Sequence, residues 1–223
     1  MSTLATAMTT TRVLPGRQDA GCPDGEVPDI GVVDAGGIGG AVDLTRAERA
    51  VTDLLDALGV DTSAESLADT PARVARAFAD MLRPEPFNAT TFRNDEGYDE
   101  LVLVTSIPFS SLCEHHLLPF HGVAHVAYLP GERLIGLSKL PRLVQYAAHR
   151  LQVQERMTTQ IADWLSEELR PRGVGVVLDA EHECMTRRGV RSTGSRTVTS
   201  ALRGLLRDDP RTRAEFMALV GGP

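Results

Sequence analysis

Apolar residues along this chain change their period several times, and each change marks an element. Ala47, Val51, Leu54, Leu55 and Leu58 recur at helical spacing and predict a helix with one apolar stripe. Thr45 and Glu48 form a capping-box pattern at its start, and Gly59 closes it. A second helix is expected from Asp69, with Pro71 in its first turn and Pro84 as its stop. Its buried stripe is Val74, Ala77, Phe78 and Met81. A polar stretch then reads as a loop. Residues 100–109 and 122–129 read as strands, Pro130, Gly131 and Glu132 turn the chain, and 133–137 returns as a short strand. Helices follow at 140–149 and 153–169, the second with Met157, Ile161, Trp164 and Leu165 facing inward. Strands at 173–181 and 195–202 and a last helix after Pro210, holding Phe216 and Leu219, complete the order. It predicts an α+β domain in which helices back an antiparallel sheet.

Residues 1–42 are rich in Thr, Gly, Asp and Pro and are expected to form a disordered or flexible tail. Glycines 36, 37, 39 and 40 follow no strand and precede no Gly-Lys-Ser/Thr, so they do not make a phosphate loop. The remainder of the 223 residues suits one domain of ordinary size. Its 42% hydrophobic content with only 4% aromatic implies a core of Val, Leu and Ala. No basic stretch leads into a long apolar run, so neither a signal peptide nor a membrane span is expected. Three cysteines make no disulfide framework and fit a reducing, cytoplasmic setting.

The net charge of −7 argues against a general affinity for nucleic acid or a membrane surface. An anionic substrate would need a local basic cluster, and one is visible. Lys139 and Arg142 lie in L-S-K-L-P-R, and Arg187, Arg188 and Arg191 in T-R-R-G-V-R. Lys139 is the one lysine among 23 basic residues. It either marks a place that needs a compact ammonium or survives by chance, and composition does not separate the two.

The candidate chemistry sits at the ends of elements. Cys113 and His116 in S-L-C-E-H-H-L-L-P-F, with Cys184 in H-E-C-M-T, are three ligands that suit zinc and leave a fourth position open. His115 and His182 stand beside them and titrate near neutrality, as proton-transfer groups must. His182 and Cys184 are two apart, so they share a face if the extended chain continues that far. The competing reading is two buried cysteines without metal. A Cys113–Cys184 disulfide is disfavoured by the compartment. Gln154 and Glu155 form the polar first turn of a helix, where a carboxylate meets the helix dipole. A carboxylate can also accept the two parallel N–H donors of a guanine edge, but acidic residues are common in first turns, and the residues alone favour the helix-dipole reading. His125 and His149 read as structural, and His121 has no evident partner.

These segments together resemble the GTP cyclohydrolase I family. S-L-C-E-H-H-L-L-P-F-H-G-V-A-H-V-A-Y, I-G-L-S-K-L-P-R, L-Q-V-Q-E-R-M-T and H-E-C-M-T-R-R-G-V-R follow one another in the family's order, and the resemblance covers about residues 44–220. It implies a tunnelling fold (T-fold) at about 99–220, after a helical part at about 43–98, within a catalytic domain of 43–223. It also implies a homodecamer of two stacked pentamers with active sites at subunit interfaces. Cys113, His116 and Cys184 would hold Zn2+, which activates water against C8 of GTP. His115 and His182 would be the acid–base pair, with the two jobs undivided between them, and Ser138 would act at the ribose and phosphate end. Glu155, with Gln154, would hold guanine. Lys139, Arg142 and Arg188, with Arg73 from a neighbouring subunit, would bind the triphosphate. The products would be formate and 7,8-dihydroneopterin triphosphate, on the way to folate or other pteridines. The alternatives are a zinc-dependent hydrolase or deaminase acting on another nucleotide, a structural zinc protein, and an inactive pterin- or nucleotide-binding protein.

Overall fold

A computed structural model describes residues 11–13 and 40–221. The expected tail at 1–42 therefore lies outside the described residues, apart from residues 40–42 and a short strand β1 (Thr11–Val13). Helices α1 (Leu44–Ala57) and α2 (Thr70–Met81) come first, followed by strand β2 (Asn88–Arg93). Then come β3 (Val102–Cys113), β4 (Pro119–Leu129), β5 (Arg133–Ile135), α3 (Lys139–Ala148), β6 (Leu151–Gln152) and α4 (Gln154–Leu169). The chain continues through β7 (Gly173–His182), α5 (Glu183–Thr186), β8 (Thr197–Gly204), α6 (Leu205–Asp208) and α7 (Pro210–Gly221).

The body is a five-stranded sheet in the order β6-β3-β4-β7-β8, antiparallel except for the β3–β6 pair. A three-stranded sheet, β1-β2-β5, stands beside it. Helices α3 and α4 cover one face of the large sheet. Met157, Ile161, Trp164 and Leu165 of α4 are all buried there, as their helical spacing predicts. They pack with Phe120, Val126 and Tyr128 of β4 and Val174, Val176 and Leu178 of β7. A second, smaller cluster on the opposite face closes Ala127, Leu129 and Val177 under Leu206 and Phe216.

The N-terminal helices depart from expectation. The cap of α1 is Asp43, whose carboxylate accepts from the Arg46 amide at 2.9 Å, and not the Thr45–Glu48 box. Gly59 does end the segment, with φ +75°. No residue of α1 is buried, and Leu54 and Leu58 are 56% and 69% exposed. In α2 the buried residues are Pro71 and Ala75, while Ala77 is exposed. The stripes specify helix but not cover: the two helices pack on each other and join neither core cluster. The polar stretch after α2 holds β2, which pairs with β5 through Thr91 and Ile135. Its Asn, Thr and Arg content hides it, because backbone pairing rather than side-chain pattern makes this strand.

Both site strands outrun their expected ends. Strand β3 continues to Cys113 and β4 begins at Pro119, so they form a hairpin whose tip is residues 114–118. Cys113 donates its amide to the Leu118 carbonyl, and Leu117, at φ +55°, turns the chain. Gly122 lets β4 lie close to β7: a Cβ there would run into the Asp179 carbonyl. That approach sets the register in which Phe120 faces His182.

Candidate metal and proton-transfer site

Cys113 ends β3, His116 follows on the hairpin tip, and Cys184 sits in the single helical turn α5. Their ligand atoms all lie within 4.8 Å of one another, with the Cys113 sulfur 3.8 Å from Nδ1 of His116. Tetrahedral zinc, with Zn–S about 2.3 Å and Zn–N about 2.0–2.1 Å, sets its ligands roughly 3.5–3.8 Å apart. The three atoms therefore need to close up by less than about 1.5 Å to share such a centre. Among the described residues no fourth Cys, His or carboxylate joins the group, so the donor set fits a site with an open position. The extended chain does not continue through Cys184 as expected. Strand β7 stops at His182 and the α5 turn brings the sulfur round. Burial, then the neighbouring Cys113, pushes the Cys184 thiol up, the cost that a cation among the sulfurs relieves.

His182 is the last residue of β7 and stacks on Phe120, ring centroids 4.7 Å apart and 3° from parallel. Its Nε2 lies 2.7 Å from Oε1 of Gln154. Burial lowers its pKa below the ordinary value, against the pull of the Glu155 carboxylate. Gln154 and Glu155 open α4, but they face different ways. Gln154 is 1% exposed, and its amide nitrogen donates to the carbonyls of Leu178 and Thr197 and to Oγ1 of Thr199. All its side-chain polar atoms are thus engaged within the protein. Glu155 is exposed, has no such tie among the described residues, and is near enough to His182 to act on its charge.

His115 is exposed on the hairpin tip, with Nδ1 3.9 Å from the Cys113 sulfur and Nε2 3.8 Å from a Glu114 oxygen. Two residues that the sequence pattern does not single out hold this tip. Arg156 binds Glu114 at 2.5 Å and also reaches the Leu151 carbonyl and Oε1 of Gln152. The Glu114 amide donates to the Gln152 carbonyl. The charge inside C-E-H-H and the arginine after Glu155 are the available signals, 42 positions apart in sequence.

The anion-binding candidates are distributed differently. Arg188 follows α5 and is close enough for its charge to lower the Cys184 pKa. Ser138 and Lys139 begin α3, with Arg142 one turn on. The C-terminal end of this helix is the one near Cys113, since Ser111 donates to the Ala148 carbonyl at 2.7 Å. Lys139 lies nine residues before Ala148, about 13 Å back along the helix axis. Burial and the nearby Arg142 lower its pKa. Arg73 lies on α2, 54% exposed, and among the described residues binds only Asp69, Ser66 and Thr70 of its own segment. One chain thus gathers the metal-capable group, both histidines, Glu155 and Arg188, and leaves Ser138, Lys139, Arg142 and Arg73 elsewhere.

His125 and His149, expected to be structural, each keep a buried Nδ1 without a hydrogen-bond partner and have pKa values lowered by burial. His121 is exposed and faces Glu181 across the β4–β7 pair. No described helix is long and apolar enough to cross a membrane.

The family model described as GTP cyclohydrolase I matches residues 47–221. A GTP cyclohydrolase 1 of Thermobifida fusca is 52% identical over 200 residues, covering 86% of this chain and 96% of its own. The one from Aquifex aeolicus is 52% identical over 82% of this chain and 99% of its own. The one from Mycobacteroides abscessus is 54% identical over 82% and 92%. The match takes in every residue of the metal-capable group and of the proton-transfer and anion-binding sets, and the chain belongs to the GTP cyclohydrolase I enzyme family.

Proposed function

We propose that the protein opens the imidazole ring of GTP hydrolytically, releases C8 as formate and returns 7,8-dihydroneopterin triphosphate for pteridine or folate synthesis. The observation that carries the reading is the convergence of Cys113, His116 and Cys184 with His182 and Glu155 at one corner of the sheet. Zinc held by the two sulfurs and the imidazole supplies, when bound, Lewis-acid activation of water at C8. The remaining steps fall to the chain's own groups. Glu155 accepts the two N–H donors of the guanine edge, which orients C8 toward the hairpin tip. Gln154 contributes at that end through His182. His182, with the nearby exposed His115, moves protons at the ring nitrogen and at the ribose as the sugar opens and rearranges. Two additions of water and one loss on ring closure leave one water consumed for each formate released.

Ser138, Lys139 and Arg142 bind ribose and triphosphate together with Arg188, and Arg73 adds a further cation. Charge-assisted contacts to phosphate oxygens need such groups. Three of these lie on α3 at the end remote from their own Cys113, which supports sites shared between copies. The outer edge of β8 has no strand beside it among the described residues, as a sheet that continues into a neighbour requires. Both features fit a tunnelling-fold barrel of five subunits, doubled into a decamer. A cytoplasmic location suits thiolates that serve as ligands.

The test is to load the assembled protein with zinc, supply GTP, and measure formate together with a pterin that fluoresces after oxidation. Equimolar formate and pterin are expected. Absence of both from metal-loaded, assembled protein refutes the reading.

A further inference from the structure

Two exposed apolar side chains border a site that is otherwise polar. Leu117 directly follows His116 on the hairpin tip and is 48% exposed, and Met185 directly follows Cys184 in α5 and is 37% exposed. The ligand atoms of His116 and Cys184 lie within 4.8 Å of one another, so both residues adjoin the metal-capable group. Neither belongs to a core cluster among the described residues, and the fold therefore draws little from either side chain.

Leu117 also carries strain. Its φ of +55° lies in the left-handed region, which crowds a branched side chain and suits Gly or Asn. The turn itself needs only backbone groups. The Leu117 amide donates to the Cys113 carbonyl at 2.9 Å, and the Cys113 amide to the Leu118 carbonyl at 2.9 Å. Glycine or asparagine would make both bonds with less strain, so what leucine adds is apolar surface. Met185 is similar in that its carbonyl accepts from the Ser192 amide at 3.0 Å while its side chain stays outside the core.

We propose that Leu117 and Met185 form the apolar part of the guanine site, touching the faces of the purine while Glu155 takes its edge. The inference rests on the guanine reading of Glu155 and adds what covers the base. A purine has two apolar faces and a polar rim, and a carboxylate at the rim leaves both faces in water. Small-molecule sites are lined mainly by apolar groups, with a few polar ones that orient the ligand. Cys113, His115, His116, His182 and Glu155 supply the polar share here. Leucine takes apolar area out of water, and a thioether makes favourable contacts with aromatic rings. Strained backbone persists at ligand-binding positions, where the contact offsets its cost.

The decisive variant is Leu117→Asn, which suits the left-handed turn and removes the apolar contact. Its denaturation midpoint should equal or exceed the parent's, and its zinc content should match. Calorimetry should show GTP bound about tenfold more weakly, roughly the effect of returning half a leucine side chain to water. Inorganic triphosphate should bind within about twofold of the parent, because it reaches only the distant cations. KM for GTP should rise with kcat within about threefold, the signature of a contact made equally before and during the reaction. Leu117→Met should recover GTP affinity to within about threefold. Parental GTP affinity in Leu117→Asn, equal weakening of GTP and triphosphate, or no recovery in Leu117→Met overturns the proposal. Loss of assembly with an intact subunit also overturns it and assigns Leu117 to a contact between copies. If Leu117→Asn does not fold, Met185→Gln, which keeps the length and removes the thioether, decides by the same comparison of GTP with triphosphate. A parent protein that binds GTP but releases no formate defeats the functional reading instead, and the calorimetry still judges the contact.

Discussion

The proposed metal-and-guanine end of the site and the proposed triphosphate end are built on opposite principles. At the first, the strand ends and the hairpin tip are held by something buried or paired, and Glu155 stands exposed without such a hold among the described residues. Cys113 closes a strand, His182 is stacked and hydrogen-bonded, and the hairpin tip is tied to α4 through Glu114 and Arg156. At the second, Lys139 and Arg142 stand at the far end of α3, and among the described residues Arg73 is occupied only by its own segment. Bond-making chemistry needs placement within a fraction of an ångström, and a fold supplies that from strands and packed helices. Phosphate oxygens tolerate looser geometry, because charge acts at longer range than orbital overlap. The chain fixes the metal-capable end and leaves Lys139, Arg142 and Arg73 on looser ties, which suits the proposed sharing of that end with another copy.

The sharpest way to break this comparison is to damage one end in each of two proteins. Cys113→Ser should lose zinc by metal analysis and lose ring opening well beyond the roughly hundredfold expected for an outer partner. Lys139→Ala should keep its zinc and fail mainly in binding GTP. Mixed in equal amounts and reassembled, the two inactive proteins should recover about a quarter of parental activity, since random pairing across interfaces makes that share of sites intact at both ends. No recovery after verified mixing would place both ends in one chain and end the contrast.

How far the sequence foretells each end follows the same division. The metal-capable group is legible because C-x-x-H and a distant cysteine are chemistry written as residue type, and the structure brings those atoms together. The path of the backbone is less so. Alternation puts His182 and Cys184 on one strand face, whereas β7 ends at His182 and a helical turn carries Cys184. Gln154 reads as a partner of Glu155 because the two adjoin. Yet neighbours in a helix point about 100° apart, and one is buried while the other is free. The Thr199 contact of Gln154 is invisible in sequence, since a hydroxyl in a strand has no pattern until its partner is known. The stripe of α1 is legible as a helix signal, but it carries no information about which surface will cover it.

Glu155→Gln sharpens the guanine half of the comparison. A neutral amide presents one acceptor and one donor to two N–H groups, so one charge-assisted bond is lost and one donor faces another. Bonds to charged groups are worth about 1.5–3 kcal/mol, so KM for GTP should rise roughly ten- to a hundredfold. A fall in kcat at unchanged KM would instead assign Glu155 to the chemistry, through its charge on His182.

Arg156→Met tests whether the hairpin tip is held from α4. Arg156 and Glu114 are 25% and 31% exposed, so the pair is only partly dehydrated, and the loss should cost about 1–3 kcal/mol in denaturant unfolding. Zinc affinity should weaken by about tenfold, because Cys113 and His116 flank the freed Glu114. Unchanged metal affinity with lowered stability would make the pair a support for α4 and leave the hairpin self-sufficient.

The smallest effect separates the working imidazole from its structural counterparts. His149 has a buried, unpartnered Nδ1, and burial outweighs the Glu85 carboxylate in lowering its pKa below 6.5. The unfolded chain takes up a proton near that ordinary value while the folded chain resists, so the unfolded state binds more protons as pH falls. Stability from keeping His149 neutral is therefore present above about 6.5 and is lost on acidification towards its folded pKa. His125 and His182 act in the same direction. His149→Leu should flatten, without abolishing, the fall in denaturation midpoint between about pH 7.5 and 5.5, and should leave kcat at neutral pH as it was. A slope equal to the parent's would mean that His149 takes its proton inside the fold, which requires Glu85 to outweigh burial and to pair with it.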